Sequence, residues 1–469
     1  MPWKMPWKNS WFQIAVIAAA LSGGCLLMDS APALENALDF TKGGGAYSKG
    51  KEYFDKGEYA EAIPEFDEAI RLDPNNANAY ALRGGAFWRK GSAGQGLDDC
   101  NKALEIDPRN DLGYAYRGLI ENQKGDHDKA IEDWNKAIEI NPKNDVAHAG
   151  LGSASLQRGD YDQAIADYDE AIRLNPGYAN AYRGRSEAYR GKGDLARAAE
   201  DLTKITEINP KDSSAYSTLG TIYVQEGDLN HAMPDLNQAI ELDASNAAAC
   251  AMRGEAYRLL GNFDQALNDL NQAIEIDPNA AMAYGSRGAV YLGKGDLARA
   301  LPDLDQAINR NPKNGFAYAE RGEAYRYKGD LPGALADLNT AIDELHFKSS
   351  FAYASRGVVR AGQGDSDRAI TDLDEAIELD PKNSFAYGER GAVYEAKGDP
   401  DKAIPDMNQA IQLNPRNAFA YLWRGEAYRR KGDSSSALAD LNEAISLDPD
   451  GPNGRSAANI KAGLNGATH

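Results

Sequence analysis

Nine arginines recur along the chain in one register: Arg83, Arg117, Arg185, Arg253, Arg287, Arg321, Arg356, Arg390 and Arg424. Each is followed by an aspartate 16 residues later, as in Arg253/Asp269, Arg287/Asp303, Arg321/Asp337, Arg356/Asp372 and Arg390/Asp406. A guanidinium is a planar fork that can bond a carboxylate twice. A row of free guanidiniums would make an anion-binding groove. The same row matched by carboxylates makes a ladder of ion pairs. Donors and acceptors recur together here, so the pattern reads as a ladder, each arginine meeting an aspartate of its own or an adjacent unit. Such a ladder specifies register more than it adds stability.

A second set of polar residues is spaced three apart: Glu187/Arg190, Glu255/Arg258, Glu323/Arg326 and Glu426/Arg429. On a helix such pairs neutralise each other, worth about 0.2–0.5 kcal/mol apiece. The other reading is polar contact with a bound segment. Four segments read FAY, at Phe316, Phe351, Phe385 and Phe419, and Trp423 lies one helical turn past the last. An aromatic row on one face either anchors a peptide or packs neighbouring units together. Trp88 carries the same two readings.

Catalytic signals are poor. Gly45 to Lys51 imitates a phosphate loop, but Glu52 stands where Ser or Thr is needed, and no strand precedes it. The five histidines (His127, His148, His231, His346 and His469) are scattered without metal-ligand spacing. No cofactor, metal or small-molecule substrate is expected, and the chain reads as non-enzymatic.

The elements that carry these rows follow from twelve glycines: Gly57, Gly91, Gly125, Gly159, Gly193, Gly227, Gly261, Gly295, Gly329, Gly364, Gly398 and Gly432. The step is 34 residues, with one step of 35 between Gly329 and Gly364. A fixed period of this length signals a stacked-repeat solenoid. Seven residues before each glycine stands Gly, or Ser186 in one case. Ala recurs five and twelve after, Leu usually nine after, Pro usually seventeen after and Tyr mostly eleven before. The reference glycine ends one helix, the Asp after it caps the next, and the later Pro stops that one. Pro64, Pro234, Pro302 and Pro405 fall inside second helices, where slight bends are expected.

The stretch Arg253 to Pro278, RGEAYRLLGNFDQALNDLNQAIEIDP, resembles the tetratricopeptide repeat family. The resemblance spans residues 43–451 in twelve copies and looks bacterial in type. It implies an all-α, right-handed superhelical solenoid whose first helices line a concave groove. It also implies that the Glu/Arg pairs face that groove. Groove positions here carry mainly Ala, Gly, Ser and Glu, so the Lys/Asn/Arg clamp of chaperone-tail binders is missing.

The net charge of −20 argues against nucleic acid and fits a solvated acidic surface or a basic protein partner. Cys100 and Cys250 replace packing residues and read as buried, inert thiols; Cys25 lies in the N-terminal apolar segment. Lys4 and Lys8 precede an apolar run from Trp11 to Met28, and Ala31-Pro32-Ala33 follows. Residues 1–33 therefore read as a secretory signal peptide cleaved after Ala33, with an uncleaved anchor at residues 11–28 and lipid attachment at Cys25 as rivals. Residues 34–42 form a lead-in, and 452–469 a tail in which Ile460 and Leu464 offer a short capping helix and the rest is expected to fray. Gly94 and Gly96 are expected to weaken their helix. The segment Asp343–Ser350, which holds the extra residue, is the expected hinge or change of pitch. A unit of 68 residues recurs through GEAYR at 254–258 and 322–326. The expected function is an exported, periplasmic or extracellular scaffold binding a polypeptide in the groove, near the C-terminal five repeats. The alternatives are an envelope assembly component held at a membrane by its N-terminus, and a non-catalytic subunit of an enzyme complex.

Overall fold

The computed structural model describes residues 43–466, and among them it is helical without strands. The signal-peptide, anchor, Cys25 and lead-in expectations lie outside the described residues. Helices follow one another as twelve antiparallel pairs, from Gly44–Asp55 with Tyr59–Leu72 to Ala418–Arg430 with Ser434–Leu447, before a last helix Pro452–Gly466. The described residues divide into two compact units, 43–215 and 216–466. Each is an all-α array of helical hairpins with its own run of core clusters.

Local chemistry sets the hairpins. All twelve reference glycines have positive φ, between 76° and 92°, which an L side chain rarely adopts. After eight of the nine turn aspartates the carboxylate accepts the backbone N–H three residues on, as Asp296 does from Arg299 and Asp365 from Arg368. Asp126 is the exception and faces the Lys129 ammonium instead, at 3.4 Å. Seven first helices are capped by asparagine, as at Asn110, Asn314 and Asn417. The internal prolines leave their helices unbroken, Leu297–Arg310 running through Pro302.

Packing explains the glycine seven residues before each turn. A Cβ on Gly254 would stand 2.7 Å from Leu270 Cγ, and one on Gly288 2.7 Å from Leu304 Cγ. The Leu of the second helix thus sits in a notch left by the missing side chain, and Leu270 and Leu304 are fully buried. Burying such a Leu contributes about 1.5–3 kcal/mol. Ser186, the one substitute, hydrogen-bonds the Ala198 carbonyl at 3.1 Å. Gly96, expected to weaken its helix, has a packing reason: its Cβ would meet the Gly84 carbonyl at 2.7 Å, and the helix Ala93–Ile106 is intact. Cys100 and Cys250 are free and buried.

The arginines form rungs. Arg253 Nε and Nη2 donate to Asp269 at 2.7 and 2.8 Å, and Nη1 donates to Asn237 of the preceding hairpin at 2.9 Å. Arg287 takes Asp303 and Asn271, Arg321 takes Asp337 and Asp305, and Arg390 takes Asp406 and Asp374. Arg83, Arg117 and Arg185 do the same in the first unit. Most rungs also lie over the tyrosine three residues earlier, as Arg287 over Tyr284 at 5.5 Å. All nine rung guanidiniums are committed to carboxylates, so this row is not a row of free cations for anions.

Two details depart from the regular pattern. The extra residue is absorbed as a π-helical turn, Thr340–Glu344, where Leu345 N–H bonds the Thr340 carbonyl at 3.0 Å, and His346 then takes a φ of 54°. Arg356 accordingly bonds Asp372 and also reaches Asp343 at 2.9 Å. At the C-terminus Ile460 and Leu464 lie on a capping helix, as the sequence allowed, but the helix runs Pro452–Gly466 where fraying was expected around one turn, because Pro452 starts it without needing its own N–H and Ala457, Ile460 and Leu464 cover Leu422, Leu441 and Ala444.

Candidate functional site

The aromatic row sits at the start of successive first helices of the second unit, and its members differ. Phe316 packs over Gly285, where a Cβ would be 3.7 Å from its ring, and Phe419 over Gly388 at 3.6 Å. Phe419 also meets Trp423 edge to face at 6.0 Å, and Trp423 lies against Ala410 and Ala420. These three are packing residues. Phe351 and Phe385 keep 38% and 45% of their surface exposed. The packing reading therefore fits Phe316, Phe419 and Trp423, and Phe351 and Phe385 are left exposed.

The Glu/Arg pairs are bidentate in this unit. Arg258 holds Glu255 at 2.9 and 2.7 Å, Arg326 holds Glu323 at 2.8 and 2.6 Å, and Arg429 holds Glu426 at 2.7 and 2.6 Å. No such bond joins Glu187 and Arg190 in the first unit. Single carboxylates that sequence reading did not select stand beside these pairs. Glu320 is 8% exposed and accepts no hydrogen bond; burial pushes its carboxyl up to about 7 against the pull of Arg258. Glu389 is likewise pushed up to about 7 by burial, with Arg326 pulling it down and Glu323 raising it. Glu395 has no exposed surface; Arg430 Nε approaches it to 2.6 Å without hydrogen-bond alignment, so neither carboxylate oxygen accepts a bond. Burial raises this carboxyl too. The readable signal was a glutamate four residues after the FAY phenylalanine, at Glu320 and Glu389.

The first unit fills the matching face with its own side chains. Arg89 stacks on Trp88 at 4.5 Å, and Trp88 Nε1 donates to Gln123. With the Asn180 amide turned to suit, its oxygen accepts from Arg89 at 2.8 and 3.0 Å. A cavity of about 280 Å³ remains there, and a larger, open, polar one of about 870 Å³ surrounds Arg117, Asp133 and Lys136. Neither holds a nucleophile with an adjacent base. Among the described residues no cluster of His, Cys, Asp or Glu could hold a metal ion, and no helix is long and apolar enough to cross a membrane.

Comparison with known proteins bears on the fold and the family. Residues 109–324 match a model described as the C-terminal domain of cilia and flagella-associated protein 70. Residues 50–91 match a TPR repeat model, and 355–418 and 389–452 a tetratricopeptide repeat model. No curated protein matches the chain. The crystal structure of the APC/C hetero-tetramer Cut9-Hcn1 is similar at 14% identity and a TM-score of 0.55, covering 92% of this chain and 97% of that one. The TPR protein YrrB is 28% identical over 40% of this chain and 96% of its own, with a TM-score of 0.34. A tetratricopeptide repeat protein from Parabacteroides merdae is 22% identical over 53% of this chain and 98% of its own, with a TM-score of 0.39. Serial hairpins with a glycine notch and a left-handed turn glycine, together with these repeat matches, make the chain a member of the tetratricopeptide repeat family.

Proposed function

We propose that the chain is a non-catalytic protein-interaction scaffold, and that it binds a partner polypeptide along the first-helix face of its C-terminal repeats. The observation that carries this reading is the exposure of Phe351 and Phe385 on consecutive first helices. Large rings left open beside one another are what interfaces use as anchors. Among the described residues the rest of the repeat chemistry goes largely to packing and rungs, which supports the non-catalytic reading. The test is the double variant Phe351→Ala, Phe385→Ala, compared with wild type for partner capture from native extract. Loss of capture with an unchanged far-UV CD spectrum is expected, and full capture by the variant refutes the assignment.

Export belongs to the same proposal and rests on Lys4, Lys8, the apolar run to Met28 and the Ala31-Pro32-Ala33 site. N-terminal sequencing of the mature chain after fractionation separates the cases. A start at Leu34 in a soluble periplasmic or extracellular fraction supports it. An intact N-terminus in membranes supports anchoring through residues 11–28 and the envelope alternative.

A further inference from the structure

The 68-residue unit noted in the sequence places the same side chains twice on the first-helix face of the second unit. In the earlier copy Glu255 and Arg258 are followed two hairpins on by Phe316 and Glu320. In the later copy Glu323 and Arg326 are followed by Phe385 and Glu389. Phe and Glu are four apart in both, so they lie one turn apart on the same side of their helix.

The earlier copy is filled from within. The Arg258 guanidinium lies 5.6 Å from the centroid of the Phe316 ring, and it is the cation that acts on Glu320. The later copy is not. Arg326 lies over Tyr327 instead, at 4.4 Å, with its fork bonded to Glu323. Among the described residues no cation stacks on Phe385, its ring is exposed, and Glu389 accepts no hydrogen bond. One guanidinium there faces two carboxylates, so with Glu389 ionised the cluster carries an excess negative charge beside an open aromatic face.

We propose that the Phe385–Glu389 site takes a lysine or arginine side chain of the partner polypeptide, in the way that Arg258 covers Phe316 in the earlier copy. The apolar stem of such a side chain lies along the Phe385 ring, and its charged tip reaches the Glu389 carboxylate. Phe351, on the preceding first helix, is the neighbouring apolar anchor. This inference rests on the scaffold reading and names the chemistry of the partner. The ionised form of Glu389 is the one that binds a cation, so occupancy strengthens as pH rises through about 7, with Arg326 and Glu323 as the charged groups facing it.

The test uses the full chain and a panel of short synthetic peptides rich in apolar residues. Each carries one Lys or Arg, or norleucine or Glu in its place, and binding is read by fluorescence anisotropy. The expected result is a preference for Lys and Arg over norleucine of about tenfold at pH 8. That preference shrinks at pH 6 and is lost in Glu389→Gln, while Glu320→Gln retains it. Peptide binding without a charge preference, or a preference that survives Glu389→Gln, overturns the cation site and leaves the scaffold reading standing. Binding of no peptide overturns the cation site as well, and full extract capture by the Phe351→Ala, Phe385→Ala variant removes the scaffold reading separately.

Discussion

Replacing Arg321 by Leu tests what a rung contributes. The substitution removes the bonds to Asp337 at 2.7 and 2.8 Å and to Asp305 at 2.8 Å, along with the stack on Tyr318. Asp337, only 7% exposed, is left behind. The chain holds a natural copy of this state, because Leu219 stands at the arginine position of its repeat and Asp235 at the aspartate position. There burial pushes the Asp235 carboxyl from 3.8 to about 6. A rise of that size corresponds to about 3 kcal/mol at neutral pH. The sign follows directly. A carboxyl raised on folding ionises first in the unfolded chain, so stability is lost as pH rises from about 4 to about 6 and regained on acidification. Arg321→Leu is therefore expected to cost about 3 kcal/mol near pH 7.5 and much less near pH 4.5. Urea denaturation of variant and wild type at both pH values reads the difference. Amide exchange over residues 315–345 supplies a local readout, since repeat arrays need not unfold in one step. Adding Asp337→Leu should recover most of the loss at neutral pH. A penalty equal at both pH values, or a double variant weaker than the single one, refutes the argument.

Other expectations follow from single contacts. Leu219→Arg should bring Asp235 back toward the ordinary carboxylate range and flatten the pH dependence of stability between about 4 and 6, at the expense of the buried Leu; titration of Asp235 by NMR checks it. Gly254→Leu, driven into Leu270 at 2.7 Å, should cost about 1–3 kcal/mol in thermal denaturation. His346→Gly should gain about 1 kcal/mol by releasing a left-handed backbone from its side chain, and an unchanged or lower melting temperature counts against it. Cys100, fully buried with a thiol raised by burial, should resist alkylation by iodoacetamide in the native protein and react after unfolding.

Much of the fold was legible because each repeat states it again. Gly254, Leu270 and the turn glycine Gly261 are local signals tied to the helical period, and repetition multiplies them. The Arg253–Asp269 pairing was readable for the same reason. Its second bond, to Asn237, was not, since that contact depends on how one hairpin stacks on the last. The π turn at Thr340–Glu344 answers a one-residue excess that sequence can count but not place. The site was harder. Phe316 and Phe385 occupy equivalent positions, yet one is covered and the other exposed because Arg258 and Arg326 choose different rings. That choice is made between hairpins two steps apart, beyond the reach of spacing rules. The carboxylates Glu320 and Glu389 escaped notice because glutamate on a helix usually reads as solvated surface.

The missing rungs mark seams. From Arg253 to Arg424 six hairpins in succession are riveted to their predecessors through the third guanidinium nitrogen, whereas Leu151 and Leu219 offer nothing to rivet with. In a chain of nearest-neighbour couplings, heat or pulling opens the weakest junction first. The riveted stretch is also the one bearing Phe351, Phe385 and Glu389. Six rivets in unbroken succession favour opening of that stretch as one cooperative block, so the proposed docking face is carried on its stiffest part.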